Sequence, residues 1–342
     1  MAKVFIIILN WNGLHDTLEC LDSVYGLDYP SFEVMVVDNG SSDDSVETIH
    51  SNFPQVVLIE NKQNLGYTGG NNVGMRYALE HGADYVWLLN NDTVVDPDAL
   101  AKLVDEAELS QEVGLVSPVI HFYESPEEVQ FMGAYVDLLK FKISHICDQT
   151  ELDCKIVQRN LTLWGTALLI KRSVVETVGF LSEKYFAYSE DCDYSLRALK
   201  QNFCAKIRLD ARIFHKDSRS TGKQSPIQTF LRTRNTFFLW KDNMPWPRKF
   251  LLPGYYMGAV INSAKILSDE GNEKSFDACL DGFWAALNGR GGTYDLKFAI
   301  PSWLRIVFKF FVTWHPYFWV NLFKFNFRGI AMDISKKLNI LA

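Results

Sequence analysis

Four short apolar runs, Val4–Leu9, Phe32–Val37, Val56–Ile59 and Tyr85–Leu89, recur at intervals that leave room for one helix between each pair. That spacing constrains the fold more than anything else in the chain. Uninterrupted apolar runs suit strands buried on both faces, which are parallel strands covered by helices. Thr17–Val24 has helical spacing, a second helix is predicted from near Val46, and a Gly/Asn loop over Asn64–Gly74 leads into a third that ends at Leu79. Strand and helix thus alternate through residue 89, which predicts an α/β layer structure with a parallel core sheet.

Beyond about residue 113 the pattern is more mixed. Leu163–Ile170 reads as a strand, Arg172–Val178 and Glu190–Leu199 as helices, and Ala205–Ile213 as a strand. Around Met244-Pro245-Trp246-Pro247 prolines break structure and aromatics become dense. A boundary is therefore expected between Ser218 and Pro247, and we divide the chain into 1–225 and 226–342. The 342 residues, 48% hydrophobic, suffice for one large or two moderate domains. A net charge of −7 argues against a nucleic-acid partner. Lys297–Ala342 nevertheless holds seven Lys/Arg against one acid, Asp333, a basic tail on an acidic body. Six cysteines without zinc-site spacing read as reduced thiols of a cytoplasmic protein, rather than as a Cys147–Cys154 bridge. Val4–Leu9 is too short for a signal peptide and lacks a cleavage site.

Chemistry concentrates where the strands end. The fourth run stops abruptly in Asn90-Asn91-Asp92, and ligands of open α/β sheets sit outside the carboxyl ends of strands. Mg²⁺ takes one or two carboxylates plus substrate phosphates, which makes Asp92 a candidate metal ligand; an Asx turn is the plainer alternative. Asp38 closes the second run, where a carboxylate either meets a ribose or base edge or forms the turn of DNGSSDDS. The Gly/Asn loop either brings amides to an anion or merely supplies turn conformations, and it does not meet the G-x-G-x-x-G fingerprint. Glu190, Asp191 and Asp193 crowd a helix start. One of them could be a general base with its pKa raised by its neighbours, or all could be first-turn acids with Asp193–Arg197 as an i,i+4 pair. His215 is either a further metal ligand or a structural imidazole.

The segments IIILNWNG, VVDNGSSDDS, NLGYTGGNNVG, LLNNDT, WGTALLIKRSVVETVGFLSEKYFAYSEDCDYSLRA and HKDS occur in the order found in inverting family 2 glycosyltransferases. Over roughly residues 3–240 the chain resembles the bacterial rhamnosyl- and galactofuranosyltransferases of that family. The resemblance implies the GT-A fold, a Rossmann-like nucleotide-diphospho-sugar transferase architecture. Its mixed sheet would be flanked by helices and followed by a mainly helical, aromatic-rich extension. It implies that Asn10, Trp11 and Asp38 line the nucleotide, together with Asn64, Gly70 and Asn91. Asp92 and His215 would hold Mg²⁺ or Mn²⁺. Asp191, beside Glu190, would deprotonate the acceptor, with Trp164 and Gly165 near the acceptor and donor sugar. The donor would be a dTDP- or UDP-sugar, rhamnose or similar, and the acceptor a glycan or lipid-linked glycan of cell-surface polysaccharide synthesis.

Two departures stand out. Asn90 replaces the first acid of the D-x-D motif, leaving the metal one carboxylate fewer. Asn71 stands where many members carry Arg, with Lys216 or Arg234 as candidate replacements. The Q-x-x-R-W of processive synthases is absent, which favours adding one or few sugars. A nucleotidyltransferase would show a basic phosphate loop near the N-terminus, but Ile6–Gly13 has neither Lys nor Arg. A non-catalytic GT-A-like scaffold would have no chemical reason to keep Asp92, Asp191 and His215.

The tail adds a partner. In Trp303–Trp314 the polar residues Arg305, Lys309 and Thr313, with Ser302 just before, share one narrow helical face; Tyr317–Phe327 repeats the idea. Each piece is shorter than the ~20 residues that span a bilayer. Both suit helices lying in the membrane plane with cations near lipid phosphates, at the inner face of the cell membrane. A packed subdomain or homo-oligomer interface would use the same stripe. Val119–Leu139 is expected to supply loops that shape the sugar pocket.

Overall fold

The computed structural model describes residues 1–152, 160–216, 225–294 and 299–314. The chain divides into two compact units, Met1–Gly222 and Lys223–Ala342. In the first, strands β1 (Val4–Asn10), β2 (Phe32–Asp38), β3 (Val57–Glu60) and β4 (Tyr85–Asn90) alternate with helices α1 (Leu14–Val24), α2 (Ser45–Asn52) and α3 (Gly66–Glu80). These four strands lie side by side in the order β3-β2-β1-β4, all parallel. There follow β5 (Thr93–Val95), α4 (Ala99–Glu108), β6 (Val113–Phe122), β7 (Val129–Phe131), β8 (Ala134–Asp137), β9 (Lys142–His145) and α5 (Gln149–Leu152). After them come β10 (Leu161–Thr162), β11 (Ala167–Lys171), α6 (Arg172–Val178), α7 (Glu190–Lys200) and β12 (Cys204–His215). Strand β11 enters antiparallel between β4 and β6, and the sheet continues through β12 to β5. The sheet is therefore mixed, the GT-A arrangement. Strands β10, β8 and β9 form a small antiparallel sheet of their own.

The uniform apolarity of β1 has a direct cause. Successive side chains point to opposite faces of a sheet. Val4, Ile6 and Ile8 belong to one buried cluster with Cys20, Leu21 and Val24 of α1 and Leu100 and Leu103 of α4. Phe5 and Ile7 belong to another, with Met75 and Ala78 of α3 and Tyr194 and Ala198 of α7. Both faces are covered, so neither alternate set can be polar.

Three expectations need correction. Residues 66–74 are helix rather than loop, because α3 begins at Gly66. Glycine and asparagine are poor helix formers, but tertiary contacts override that preference. Gly70 and Gly74 leave no room for a Cβ against Leu9 and Ile7, so the helix lies close on the sheet. Buried Asn72 exchanges hydrogen bonds with Leu181, donating to its carbonyl at 2.9 Å and accepting from its amide at 3.0 Å. Second, Leu163–Thr166 stays outside β11. The amides of Leu163 and Gly165 donate to Ser195 Oγ and Asp191 Oδ2, both 3.2 Å away on α7, rather than to a neighbouring strand. Third, Val119–Leu139 is mostly strand, holding the end of β6, all of β7 and β8. The reduced state expected of Cys147 is seen, while Cys154 lies outside the described residues.

The second unit is helical: α8 (Pro226–Asn243), α9 (Leu252–Asp269), α10 (Glu273–Leu287) and α11 (Ser302–Trp314). Helix α8 stops where the prolines begin. Of the α11 cations, Arg305 is turned inward rather than outward, while Lys309 remains exposed. Arg305 pairs with Asp277 at 2.8 Å and with the buried Asp281 at 2.6 Å, and Lys309 pairs with Glu273 at 2.8 Å, all on α10. Trp303, Ile306, Val307 and Phe310, spaced i, i+3, i+4 and i+7, are exposed, together with Ser302 and Lys309. Arg234 is fully buried, donating to Asn235 Oδ1 and to the Gly292 carbonyl, and so offers no open cation. The stretch Tyr317–Phe327 lies outside the described residues. Among those described, no helix is long and apolar enough to cross a membrane.

Gly66 ties α3 to the segment before α7. Its φ is +74°, and a Cβ there would lie 2.5 Å from the Phe186 carbonyl oxygen. Gly66→Ala combines left-handed strain with a clash against backbone, and should cost about 1–3 kcal/mol. Urea titration of the variant against the parent checks this.

Candidate active site

The in-register pairing of β2, β1 and β4 sets Asp38 opposite Asn10, and Leu9 opposite Asn90, at one edge of the sheet. Asn10 Nδ2 donates to Asp38 Oδ1 at 2.8 Å, and Asn10 Oδ1 accepts from Thr17 Oγ1 at 2.8 Å. Thr17 Oγ1 in turn accepts from Asn91 Nδ2 at 3.0 Å. The network therefore joins three of the nucleotide candidates. Asp38 is buried and doubly engaged: Oδ2 accepts from the amides of Gly40 and Ser41, and Oδ1 from Ser41 Oγ at 2.6 Å. The turn-forming role weighed for Asp38 is thus present in full. Trp11 follows the tip of β1 with 43% of its surface exposed.

Asn64 and Gly70 sit differently. Asn39, just past β2, donates to Asn64 Oδ1 at 3.1 Å and to the Gly66 carbonyl, and accepts from the Leu65 amide. Asn64 Oδ1 also accepts from the Gly66 amide at 2.8 Å. These bonds hold the entry to α3. Gly70 is buried inside α3, where a Cβ would lie 2.3 Å from Leu9 Cδ1. Both residues therefore set the wall beside the strand tips, Gly70 through packing.

Past the tip of β4 the chain turns into β5, which pairs antiparallel with the end of β12 and sets Thr93 opposite His215. Asp92 Oδ1 lies 3.2 Å from His215 Nε2, and both side chains are largely buried. The contact lacks the alignment of a hydrogen bond, leaving Nε2 buried without a donor or acceptor partner. His215 Nδ1 meets Gln130 Oε1 at 2.8 Å. A side-chain carbonyl accepts there, so in the neutral tautomer that bond selects, Nδ1 carries the proton and Nε2 presents a lone pair to the carboxylate. Two lone pairs facing at that distance fit a cation between them. The separation is close to the ~3 Å between neighbouring octahedral ligands, each ~2.1 Å from one metal. Among the described residues no group of three or more His, Cys, Asp or Glu could hold a metal, and Asp92 and His215 are the two candidate ligands here. A pocket of about 200 Å³ opens beside Asp92, lined also by Asp16, Glu19, Tyr123, Glu124 and Lys216. Lys216 is held by Asp16 at 2.7 Å and Glu19 at 2.6 Å.

The carboxylates of α7 approach from the other side. Asp191 Oδ2 accepts from the Gly165 amide, Oδ1 accepts from the Cys192 amide at 2.7 Å, and the next carbonyl, Thr166, accepts from the Asn90 amide at 2.9 Å. Asp191 is thereby tied to the tip of β4, two residues from Asp92. A Cβ on Gly165 would strike Tyr67 Oη, which donates to the Gly165 carbonyl at 2.6 Å. Trp164 stacks on Phe131, centroids 3.7 Å apart. Asp193 has a structural role: it accepts from Arg197 at 2.8 Å, the expected i,i+4 pair, and from Tyr185 Oη.

Burial raises the Asp191 pKa despite its amide donors. Glu190 is raised well above the ordinary range, first by burial and then by the Asp191 charge, and its Oε2 is buried without a partner. Backbone strain holds the pair in place. Phe186, Tyr188 and Ser189, immediately before α7, all have φ between +64° and +72°. The Phe186 carbonyl accepts from the Thr68 amide at 3.1 Å, which binds this turn to α3. Gln130 and Tyr67 act through long-range contacts that local sequence does not encode, although Tyr67 lies within NLGYTGGNNVG. Ser41 lies within VVDNGSSDDS and Thr17 at the start of the first predicted helix, and their hydrogen bonds to Asp38 and Asn10 add them to the site.

A carboxyl raised on folding costs stability wherever the unfolded chain would ionise it. Glu190→Gln removes that cost. The variant should melt above the parent at neutral and alkaline pH, with the gain shrinking toward zero as pH falls to the ordinary carboxyl range near ~4. Thermal melts across pH 4–8, on the order of one scan per unit, check the sign.

Comparison with known proteins agrees with this geometry. The Glycosyl transferase family 2 description matches residues 5–179. A low-salt glycan biosynthesis hexosyltransferase of Haloferax volcanii is 27% identical over 245 residues, covering 68% of this chain and 73% of that protein. An N-acetylglucosaminyl-diphospho-decaprenol L-rhamnosyltransferase of Mycobacterium tuberculosis is 24% identical, covering 61% and 74%. Among solved structures, a Pyrobaculum calidifontis mannosyltransferase in complex with GDP-Man and Mn²⁺ superposes with a TM-score of 0.53 at 17% identity, covering 94% of this chain and 84% of that one. S. aureus TarS with UDP-GlcNAc gives 0.54 at 17% identity, covering 83% and 81%. The match spans half of the chain and takes in the tips of β1, β2 and β4, and on it the chain belongs to glycosyl transferase family 2.

Proposed function

We propose that this family 2 member is an inverting, metal-assisted glycosyltransferase. It moves a sugar, rhamnose or a similar hexose, from a dTDP- or UDP-linked donor to a hydroxyl of a glycan or lipid-linked acceptor. The observation that carries the reading is the Asp92–His215 pair past the tip of β4, with Asp191 tied to the same tip through Gly165 and Thr166. The hexosyl- and rhamnosyltransferase relatives, one named for a decaprenol-linked substrate, support the sugar and acceptor classes.

In this mechanism Asn10, Trp11, Asp38 and Asn91 line the nucleotide, and Asn64 and Gly70 shape the wall beside it. Trp164 and Gly165 border the sugars. A divalent ion, Mg²⁺ or Mn²⁺, held by Asp92 and His215 would offset the charge that develops on the departing diphosphate. Asp191 accepts the proton of the acceptor hydroxyl as its oxygen attacks the anomeric carbon opposite the diphosphate. The new carbon–oxygen bond forms as the old one breaks, and the nucleoside diphosphate leaves with inversion. The raised pKa makes Asp191 a stronger base than an ordinary carboxylate. Glu190, raised by burial, stays protonated further up the pH scale and spares its neighbour a like charge.

We assign this chemistry to residues 1–225 and a membrane or oligomer contact to 226–342. The outward stripe of α11 suits a helix lying in the plane of the inner face of the cell membrane, bound through Trp303 and Ile306 with the exposed Lys309 beside them.

Asp191→Asn should lower turnover by at least ~10², as for loss of a general base. Donor binding should survive, read as the melting shift produced by the preferred member of a UDP-, dTDP- and GDP-sugar panel with Mn²⁺, and absent with EDTA. Near-normal turnover would remove Asp191 from the role; a panel without any shift would sink the donor class. For the second unit, the full chain should float with anionic liposomes, and the double variant Trp303→Ser/Ile306→Ser should float less. Equal recovery of both defeats the membrane reading.

A further inference from the structure

The small sheet carries a group that the mechanism does not use. His145 is the last residue of β9 and pairs with Ala134 of β8. The adjoining backbone is clamped, since Ile146 donates to the Gly133 carbonyl at 2.8 Å and accepts from the Met132 amide at 3.0 Å. The ring stands edge-on to both Phe131 and Trp164, at centroid distances of 5.9 and 5.3 Å and angles of 84° and 89°. Those two rings are stacked on one another at 8°, so together they fix the imidazole's plane. Such edge-to-face contacts are favourable and directional.

Yet His145 is exposed, and none of the described residues hydrogen-bonds its ring nitrogens. Aromatic packing has oriented a donor–acceptor pair that the protein itself leaves unused. Its location gives that orientation a purpose. Trp164, whose ring His145 meets edge-on, precedes Gly165, and the Gly165 amide donates to Asp191. On the other side of Asp191, Tyr67 is already committed to the Gly165 carbonyl, and burial withdraws Glu190 from solvent. Unlike Tyr67 and Glu190, the exposed His145 imidazole is open to an incoming molecule.

We propose that His145 is a specificity-determining residue for the acceptor. Its imidazole hydrogen-bonds a second hydroxyl of the sugar ring whose reacting hydroxyl faces Asp191, and the Phe131–Trp164 stack holds it at the angle required. The inference rests on the glycosyl-transfer reading and adds the group that grips the acceptor. A side chain that must meet a sugar hydroxyl gains from orientation fixed before binding, since the rotamer entropy is then already lost.

The test uses the full-length protein, the nucleotide-sugar chosen by the melting panel, and octyl glycosides of glucose, galactose and N-acetylglucosamine as acceptor probes. His145→Ala should raise the acceptor KM by about tenfold or more, the range for loss of one hydrogen bond to a substrate. Hydrolysis of the donor in the absence of acceptor should stay within about twofold of the parent. His145→Gln, which keeps an N–H donor at similar reach, should recover part of the loss. An unchanged acceptor KM in the alanine variant overturns the inference. So does a parallel fall in donor hydrolysis, which would mark His145 as a support of the small sheet. If the parent hydrolyses its donor but only one probe accepts sugar, that probe alone is used. If the parent neither hydrolyses donor nor transfers sugar, the glycosyl-transfer reading fails, and this inference with it.

Discussion

Parallel pairing of β2, β1 and β4 in one register places Asp38, Asn10 and Asn90 along a single edge of the sheet, and the site depends on that alignment. A strand slipped by one residue would turn its tip side chain to the opposite face. Burial of both faces of β1 opposes such a slip, because it locks Ile6 and Ile8 to one layer and Phe5 and Ile7 to the other. The core is therefore also what aims the polar tips. The hydrogen bonds from Asn91 through Thr17 and Asn10 to Asp38 then satisfy groups that would be costly to bury alone.

Two further connections complete the site. The antiparallel entry of β11 beside β4 brings Gly165 and Thr166 against Asn90, and with them the α7 carboxylates. The antiparallel meeting of β5 and β12 folds Asp92 back onto His215. Both depend on reversing strand direction in a sheet whose first four strands run one way. The mixed sheet thus ties Asp191 to the tip of β4, two residues from Asp92, across a long stretch of sequence. Left-handed backbone at Phe186, Tyr188 and Ser189 is tolerated because α3 and α7 both hold that turn.

The second unit follows a different logic. Asp281 is buried and accepts from Arg305, from Tyr294 and from the Ile300 amide, so Arg305 of α11 is spent within the protein while Lys309 stays exposed. A helix docked through its charges has its apolar stripe turned outward. The exposed surface of α11 therefore combines Trp303, Ile306, Val307 and Phe310 with Lys309.

Runs such as Val4–Leu9 determined the parallel half of the sheet by themselves, since only a doubly covered strand can be apolar at every position. The motifs around Asp38 and Asp92 were legible for the same reason, since a polar cluster at the end of a buried run has nowhere to go but a cleft or a turn, and Asp191 because acids crowd a helix start. Position along the chain could not say which of those it would be, and Asp38 proved to form the turn fully. The helix through Gly66–Gly74 ran against local propensity and formed because Leu9 and Ile7 demand a close-lying partner. Gln130 behind His215, Tyr67 behind Gly165 and the direction of the α11 charges left no local trace. Each is set by contacts between segments distant in sequence, and such contacts exist only once the chain has packed.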